Sequence, residues 1–349
     1  IFFLDRIPPS AAVNETVKVI KARKLPSQMS GFVNGVLRQS LRQKELLPSP
    51  HDLDENNRPI LNHPTWLTDR WRRNYGQETM IGICLHNNRE PLLCLRAGST
   101  AAHQVVVDYL TGRGVDFEVG AYAPNAVIIN DYNGPVSEIP GIDDGLVHVQ
   151  DQAAQLATML LAPFDIHHNY LDGCAGLGGK TTHIVELLGG RKTHITAVEP
   201  DQNRFRQLQA SCTSTPKLSD IHFANQTLQE FGSNCSRRYH RILIDAPCSG
   251  TGVIGRHPDI RWNRSEKDLA DHRFRQLELL STAANLAEPD GIIVYATCSI
   301  EPEENDRVIA RYLAQHPDFF KSDCSNFLPD SCKKFVRNGC FAPLPEHGI

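Results

Sequence analysis

Two cysteines in this chain follow closely on two apolar runs. Arg241-Ile242-Leu243-Ile244-Asp245-Ala246-Pro247-Cys248 carries the first, and Gly291-Ile292-Ile293-Val294-Tyr295-Ala296-Thr297-Cys298 the second. Both runs read as strands, and in an open α/β sheet ligands bind at the carboxyl ends of strands. One thiol at that edge suggests a nucleophile. Two suggest a reaction in which a covalent bond to the protein is both made and broken. The bland alternative is a pair of core thiols, because free cysteine packs as a small hydrophobe.

These cysteines need a sheet to hold them, and the second half of the chain supplies the pattern for one. From Asp151 onward a strand, a turn and a helix alternate. Strands are expected at 169–172, 194–198, 221–224, 241–245 and 291–296, with helices at 180–188, 203–211 and 266–287. Such alternation implies a parallel, doubly wound sheet with right-handed crossovers. Between Pro91 and Val149 shorter β-type runs (92–95, 115–119, 126–129) flank a helix near 101–110, which is α+β character. The stretch to about Lys44 has helical periodicity through Val13, Val17 and Ile20, then Phe32, Val36 and Leu37, with Asn14-Glu15 as a candidate start. Residues 47–62 are rich in Pro, Asp and Asn and read as a linker. His63 to Gly76 forms an aromatic and basic helical piece.

The first strand of the α/β region ends in a glycine-rich turn, Asp172-Gly173-Cys174-Ala175-Gly176-Leu177-Gly178-Gly179-Lys180. Glycines there admit a ligand close to the backbone, and a helix N-terminus offers free N–H groups. The spacing matches neither the P-loop nor the dinucleotide fingerprint. Glu199 sits at the tip of the next strand, where a carboxylate can hold a ribose diol; a solvated strand-end charge is the competing reading. Arg204 follows one turn later. Asn225, after the third strand, is a candidate for the adenine edge or simply a turn residue. Cys174 reads as a packing residue within the cofactor loop.

Of 349 residues, 40% are hydrophobic and 22% charged, as in an ordinary globular protein with room for two or three domains. No apolar run approaches a membrane span or forms a signal peptide. The ten cysteines contain no C-x-x-C pair and fit no zinc pattern, so they are read as reduced cytosolic thiols with no metal. The net charge is −4, yet no Asp or Glu occurs from Thr16 to Lys44, where Lys18, Lys21, Arg23, Lys24, Arg38, Arg42 and Lys44 are basic. That local excess suits a polyanionic partner. The chain opens with Ile1 and ends at Ile349, and is read as part of a longer protein.

Taken together, the Pro-Cys and Thr-Cys-Ser segments and the loop at Asp172 resemble the Sun/Fmu group of RNA cytosine-5 methyltransferases. Arg256-His257-Pro258-Asp259-Ile260-Arg261-Trp262, Val149 to Gln155, and His63 to Leu67 with Tyr75-Gly76 are similar to its bacterial 16S rRNA methyltransferase B type. Gly31 to Arg38 resembles the last helices of a NusB-like RNA-binding domain. The resemblance implies a partial NusB-like domain (1–46), the linker (47–62), an α+β accessory subdomain (63–150) and a Rossmann-like methyltransferase domain (151–349). It implies S-adenosyl-L-methionine as cofactor, held by Asp172, Cys174, Ala175, Gly176, Gly178, Gly179, Lys180, Glu199, Arg204, Asn225 and Asp245.

Cytosine carbon 5 is a poor nucleophile, and adding a thiolate at carbon 6 makes it an enamine carbon able to take a methyl group. By resemblance Cys298 is that thiolate, Asp245 serves the N3 edge, and Cys248 assists release. Arg256, His257, Arg261 and Trp262, with Arg38, are the expected RNA contacts, offering charge for phosphates and a face for an unstacked base. RNA, chiefly 16S rRNA, is the expected partner of a cytoplasmic monomer. A tRNA substrate and a non-catalytic ribosome-assembly role are the other readings. This chain departs from the family pattern in having Gly176-Leu177 for Ala-Pro, Asn225 for an acid, and no continuation past His347-Gly348-Ile349.

Overall fold

The computed structural model describes residues 8–23, 25–46, 61–214 and 221–349. Two compact units divide at Glu90/Pro91. The expected linker at 47–62 therefore lies largely outside the described residues.

The first unit is helical, with α1 (Pro9–Ala22), α2 (Ser27–Arg42), α3 (Thr65–Tyr75) and α4 (Gln77–Asn87). Helix α1 starts at Pro9 rather than at Asn14-Glu15. A proline at the first helical position loses no hydrogen bond, because that N–H would lack an intrahelical partner anyway. Helices α1 and α2 pack on each other, yet Phe32 of α2 is 67% exposed. Within α3, Trp71 is buried and meets the His63 ring edge-on at 5.5 Å.

The second unit opens with β1 (Leu93–Ala97), α5 (Thr100–Gly112), β2 (Phe117–Val119), β3 (Ala126–Ile129) and β4 (Val147–Val149). These four strands form an antiparallel sheet in the order β2-β3-β1-β4. Strand β4 was not expected; its three residues are too short to show a period, and only pairing with β1 defines it. Then follow α6 (Gln152–Met159), β5 (Asn169–Asp172), α7 (Gly179–Leu187), β6 (His194–Val198), α8 (Gln202–Ser214), β7 (Ile221–Ala224), α9 (Leu228–Asn234), β8 (Tyr239–Asp245), α10 (Ile260–Asn263), α11 (Glu266–Leu286), β9 (Ala287–Ala296) and α12 (Asp306–Gln315).

Strands β5 to β9 make one parallel sheet in the order β7-β6-β5-β8-β9. The order reverses between β5 and β8, the switch point at which a ligand crevice forms. Successive strand residues face opposite sides, and the core divides accordingly. Leu171, Ile242 and Ile244 pack with Leu228, Phe231, Leu279 and Leu286 from α9 and α11. Tyr170, Ile195 and Leu243 pack with Ile184 and Val185 of α7 on the other face. Each such buried side chain contributes about 1.5–3 kcal/mol. Among the described residues no helix is long and apolar enough to cross a membrane.

The antiparallel sheet is tied to α7 by Arg96 of β1. Its guanidinium is buried and forms an ion pair with Glu186, Nε to Oε2 at 2.8 Å. It also donates to the Gly179 carbonyl at 2.6 Å, to Thr182 Oγ1 at 2.9 Å and to Gln150 Oε1. Burial pulls the Arg96 pKa down while Glu186 opposes the shift. Removing one partner of a buried pair strands the other charge, so Arg96→Ala should cost about 3–5 kcal/mol. Urea unfolding measures this; a loss under about 1 kcal/mol would match an exposed pair instead.

Candidate active site

Strand β8 pairs with β9 so that Asp245 lies opposite Ala296. The ladder continues one step further through Ala246 N–H to the Ala296 carbonyl at 2.8 Å. Both chains then leave the sheet at the same level, and Cys248 Sγ lies 3.2 Å from Cys298 Sγ. The turn after Cys248 folds back so that Gly252 N–H donates to the Cys298 carbonyl at 2.9 Å. A Cβ at Gly252 would stand 2.8 Å from that carbonyl oxygen, so a side chain there would force the two loops apart.

Cys298 is exposed and Cys248 partly buried. The two thiols share one hydrogen bond. It holds Cys298 below the ordinary thiol range, with Lys180 adding in the same direction against burial and Asp245. The same bond, burial and nearby negative charge hold Cys248 well above that range. Of the two thiols, Cys298 is therefore the more acidic. Lys180 enters from the start of α7 and pairs with Asp245 Oδ2 at 2.5 Å. Burial alone would lower the Lys180 pKa, but Asp245, Asp172 and Cys298 raise it above its usual value. Its ammonium therefore belongs to the cysteine end, not to a solvated helix start.

The glycine-rich turn lies beside this pair. Gly173 N–H donates to Leu243 of β8 and Ala175 N–H to Val198 of β6, each at 2.9 Å, so the turn spans the switch point. Gly178 has φ +91° at the entry to α7, and Gly179 is the first residue of that helix. Asp172 is fully buried; its Oδ2 accepts from Thr181 Oγ1 at 2.7 Å. Its Oδ1 is buried without a hydrogen bond of normal geometry, although the Cys174 N–H lies close enough to the carboxylate to oppose the rise in its pKa. Burial pushes the Asp172 pKa up to about 6. Cys174 is raised too, by burial and then by the carboxylates of Asp172, Asp245 and Glu199, which leaves it an inert packing thiol.

Buried Glu199 accepts Gly176 N–H at Oε2 (3.0 Å) and Asp201 N–H at Oε1 (2.9 Å). Each oxygen keeps a lone pair, so the carboxylate can still take ribose hydroxyls. Gly176 makes its bond with φ +56°, a left-handed turn that the usual alanine would adopt only with strain. An unsatisfied buried acceptor, a Gly-rich turn and a helix N-terminus fit an adenosine cofactor with a cationic end.

Not every expected contact joins the site. Arg204 is exposed on α8, and its backbone N–H donates to Asp201 Oδ1 at 2.8 Å. Asn225 spends its amide on the carbonyls of Glu199 and Pro200 at 2.8 and 3.2 Å, tying two loops together. Arg256 forms an ion pair with Asp151. Arg261 is only 5% exposed, because α10 turns it into the protein, so it does not face solvent as a phosphate contact would. His257 is exposed and Trp262 is 63% exposed, offering a free ring face. Arg38 is exposed on α2 and bonded to Asn34.

Several residues that hold the cysteine loops went unrecognised in the sequence. Glu304 and Gln276 are buried and bond the Cys248 turn. Asn305 donates to the Ser299 carbonyl at 2.8 Å and accepts from Thr297 Oγ1 at 2.7 Å. An acidic pair before a helix reads as ordinary N-terminal charge, which hid Glu304. The closeness of Glu303-Glu304-Asn305 to Thr-Cys-Ser was the available signal.

Comparison with known proteins follows the same architecture. The family model described as 16S rRNA methyltransferase RsmB/F matches residues 158–339. An RsmF/B-like ferredoxin-like domain matches 63–136, and the NusB family matches 1–42. Ribosomal RNA small subunit methyltransferase B of Proteus mirabilis is 36% identical, over 90% of this chain and 72% of its own. The probable counterpart of Bacillus subtilis is 32% identical, over 99% and 77%. A solved methyltransferase homolog from Pyrococcus horikoshii superposes with TM-score 0.64 at 25% identity, covering 73% of this chain and 80% of that one. NSun6 from Pyrococcus horikoshii, solved with SFG, has TM-score 0.63 at 16% identity (72% and 87% covered) and so shares the fold.

The thiol pair makes a direct prediction. Iodoacetamide should modify Cys298 before Cys248, with a rate that rises through a midpoint below that of an ordinary thiol. Cys248→Ser should weaken the shared bond and move that midpoint upward, as mass-mapped alkylation across pH would show. Faster alkylation of Cys248 in the unsubstituted protein would reverse the assignment.

Proposed function

The chain belongs to the 16S rRNA methyltransferase RsmB/F family and is a methyltransferase acting on rRNA, and we propose that it methylates carbon 5 of a cytosine in 16S rRNA through a covalent adduct. The observation that carries this reading is the 3.2 Å separation of Cys248 and Cys298 beside the Lys180–Asp245 pair. S-adenosyl-L-methionine would supply the electrophilic methyl group, held by Asp172, Glu199 and the turn from Gly173 to Gly179.

The Cys298 thiolate adds to carbon 6, forming the S–C bond and moving the ring electrons toward N3 and carbon 5. Lys180, with its proton against Asp245, neutralises charge that gathers at N3. Carbon 5 then carries both the new methyl and its original proton. Loss of that proton to a base lets the S–C bond break, and the electron pair returns to Cys298 sulfur. Cys248 lies within reach of both events, and we assign release to it: its thiol first yields its proton to solvent, and the thiolate so formed takes the carbon 5 proton. Trp262 offers a stacking face for a base that has left its stack, which is needed because carbons 5 and 6 are hidden within a helix. The basic helices at the start of the chain and the antiparallel sheet would add RNA contacts. The chemistry requires both thiols reduced, which suits a reducing compartment such as the cytoplasm.

Two measurements test the proposal. With labelled cofactor and unmodified 16S rRNA, Cys298→Ser should abolish transfer and trap no RNA, whereas Cys248→Ser should accumulate a covalent protein–RNA adduct on a denaturing gel. Transfer by the Cys298 variant, or an adduct formed by it, would defeat the scheme. The same assay on tRNA decides between the RNA classes.

Cofactor affinity should also depend on Asp172. A donor or cation at Oδ1 needs the ionised carboxylate, so binding depresses its pKa and releases a proton. Affinity should therefore rise with pH up to about 6 and level off above. The slope below that point is at most about tenfold per pH unit. Calorimetry reads this, and Asp172→Asn should remove both the slope and most of the affinity.

A further inference from the structure

We infer that Glu304 is the positioning residue that sets the distance between the two thiols. The inference rests on the thiol chemistry proposed above. Glu304 is fully buried two residues before α12, and four donors converge on its carboxylate. Oε1 accepts Ser249 N–H at 2.9 Å and Gln276 Nε2 at 3.1 Å. Oε2 accepts the Ser249 hydroxyl and the Ser299 hydroxyl, the latter at 2.5 Å. Ser249 follows Cys248 in the chain, and Ser299 follows Cys298. One carboxylate thus grips the residue after each thiol, across the gap that the thiols span.

A helix cap would explain a carboxylate here only if it bonded the first N–H groups of α12. All four of its donors instead come from the two cysteine loops and from α11. Glu304 forms no ion pair among the described residues, so these uncharged donors are what balance its burial. Tyr295 of β9 adds a hydrogen bond to the Glu304 carbonyl at 2.7 Å, locking the backbone beneath the carboxylate. The charge of Glu304 also pushes both thiols upward, which helps keep Cys248 in its protonated form. Without the carboxylate, the Ser249 N–H and hydroxyl and the Ser299 hydroxyl lose their common acceptor, and the loops are left to direct bonds such as Gly252 N–H to the Cys298 carbonyl and Ser249 Oγ to Ser299 Oγ, which hold the thiols less firmly.

The test is pairwise capture of the thiols by phenylarsine oxide, which bridges two cysteines and releases its oxygen, with their two protons, as water. Intact protein should take up the arsenical and so protect Cys248 and Cys298 together from iodoacetamide. Cys248→Ser sets the zero for pairwise capture. Glu304→Ala should weaken capture by about tenfold and lower kcat about 100-fold through misplaced thiols. The KM for S-adenosylmethionine should stay within about twofold, since the cofactor turn does not touch Glu304. Glu304→Gln should fall between, because one oxygen still accepts Ser249 N–H.

Unchanged capture by Glu304→Ala overturns the inference. So does loss of cofactor binding along with capture, which marks a general packing role. Failure of the underlying chemistry reads differently: Cys298→Ser would then retain transfer, whatever the Glu304 variants do.

Discussion

Parallel pairing of β8 with β9 places Asp245 opposite Ala296, and the whole site depends on that register. A shift of one residue would turn every side chain of a strand to the other face of the sheet. It would also change the level at which the two loops leave, by about 3.3 Å. The observed separation of the sulfurs is 3.2 Å, so such a slip would be enough to part them. Packing of Ile242, Ile244 and Leu243 on opposite faces holds the register, since each has a separate core to fill.

Beyond the sheet, the loops are held by polar groups. Glu304 and Asn305 lie on the segment leading into α12 and grip the turns that carry Cys248 and Cys298. Gly252 allows the Cys248 turn to rest against the Cys298 carbonyl. Charge is then divided between the two ends of the crevice. At the cysteine end, Lys180 pairs with Asp245 and favours the Cys298 thiolate. At the other end, Asp172 keeps a buried oxygen unused. One helix, α7, begins between them, and it places its Lys180 on the cysteine side while its Thr181 holds Asp172.

Arg96 gives the antiparallel sheet a hold on that same helix. Its bond to the Gly179 carbonyl reaches the first residue of α7, next to the lysine that pairs with Asp245. The α+β region is thus fixed to the cofactor turn by a buried cation and its carboxylate, not by apolar packing alone. Arg256 makes a second tie, to Asp151 just before α6, from the loop after the Cys248 turn. A residue read as an RNA contact is committed within the protein, and the exposed Trp262 and His257 are left as the outward groups of that loop.

Local pattern carried much of this. All five strands of the parallel sheet, the glycine-rich turn, the paired cysteines and the family resemblance were legible, because each is written in consecutive residues or in a short period. Strand β4 was not, since its three residues show no period without a partner. The tertiary structure alone decided which polar groups share a partner. Glu304 meets Ser249 across 55 positions of sequence, and Arg96 meets Glu186 across 90. It also turned Arg261 inward, bound Asn225 to loop carbonyls and brought the sulfurs together. Residue type and spacing state what chemistry a side chain can do. Which groups it meets is set by chain folding over long separations, and no local period records that.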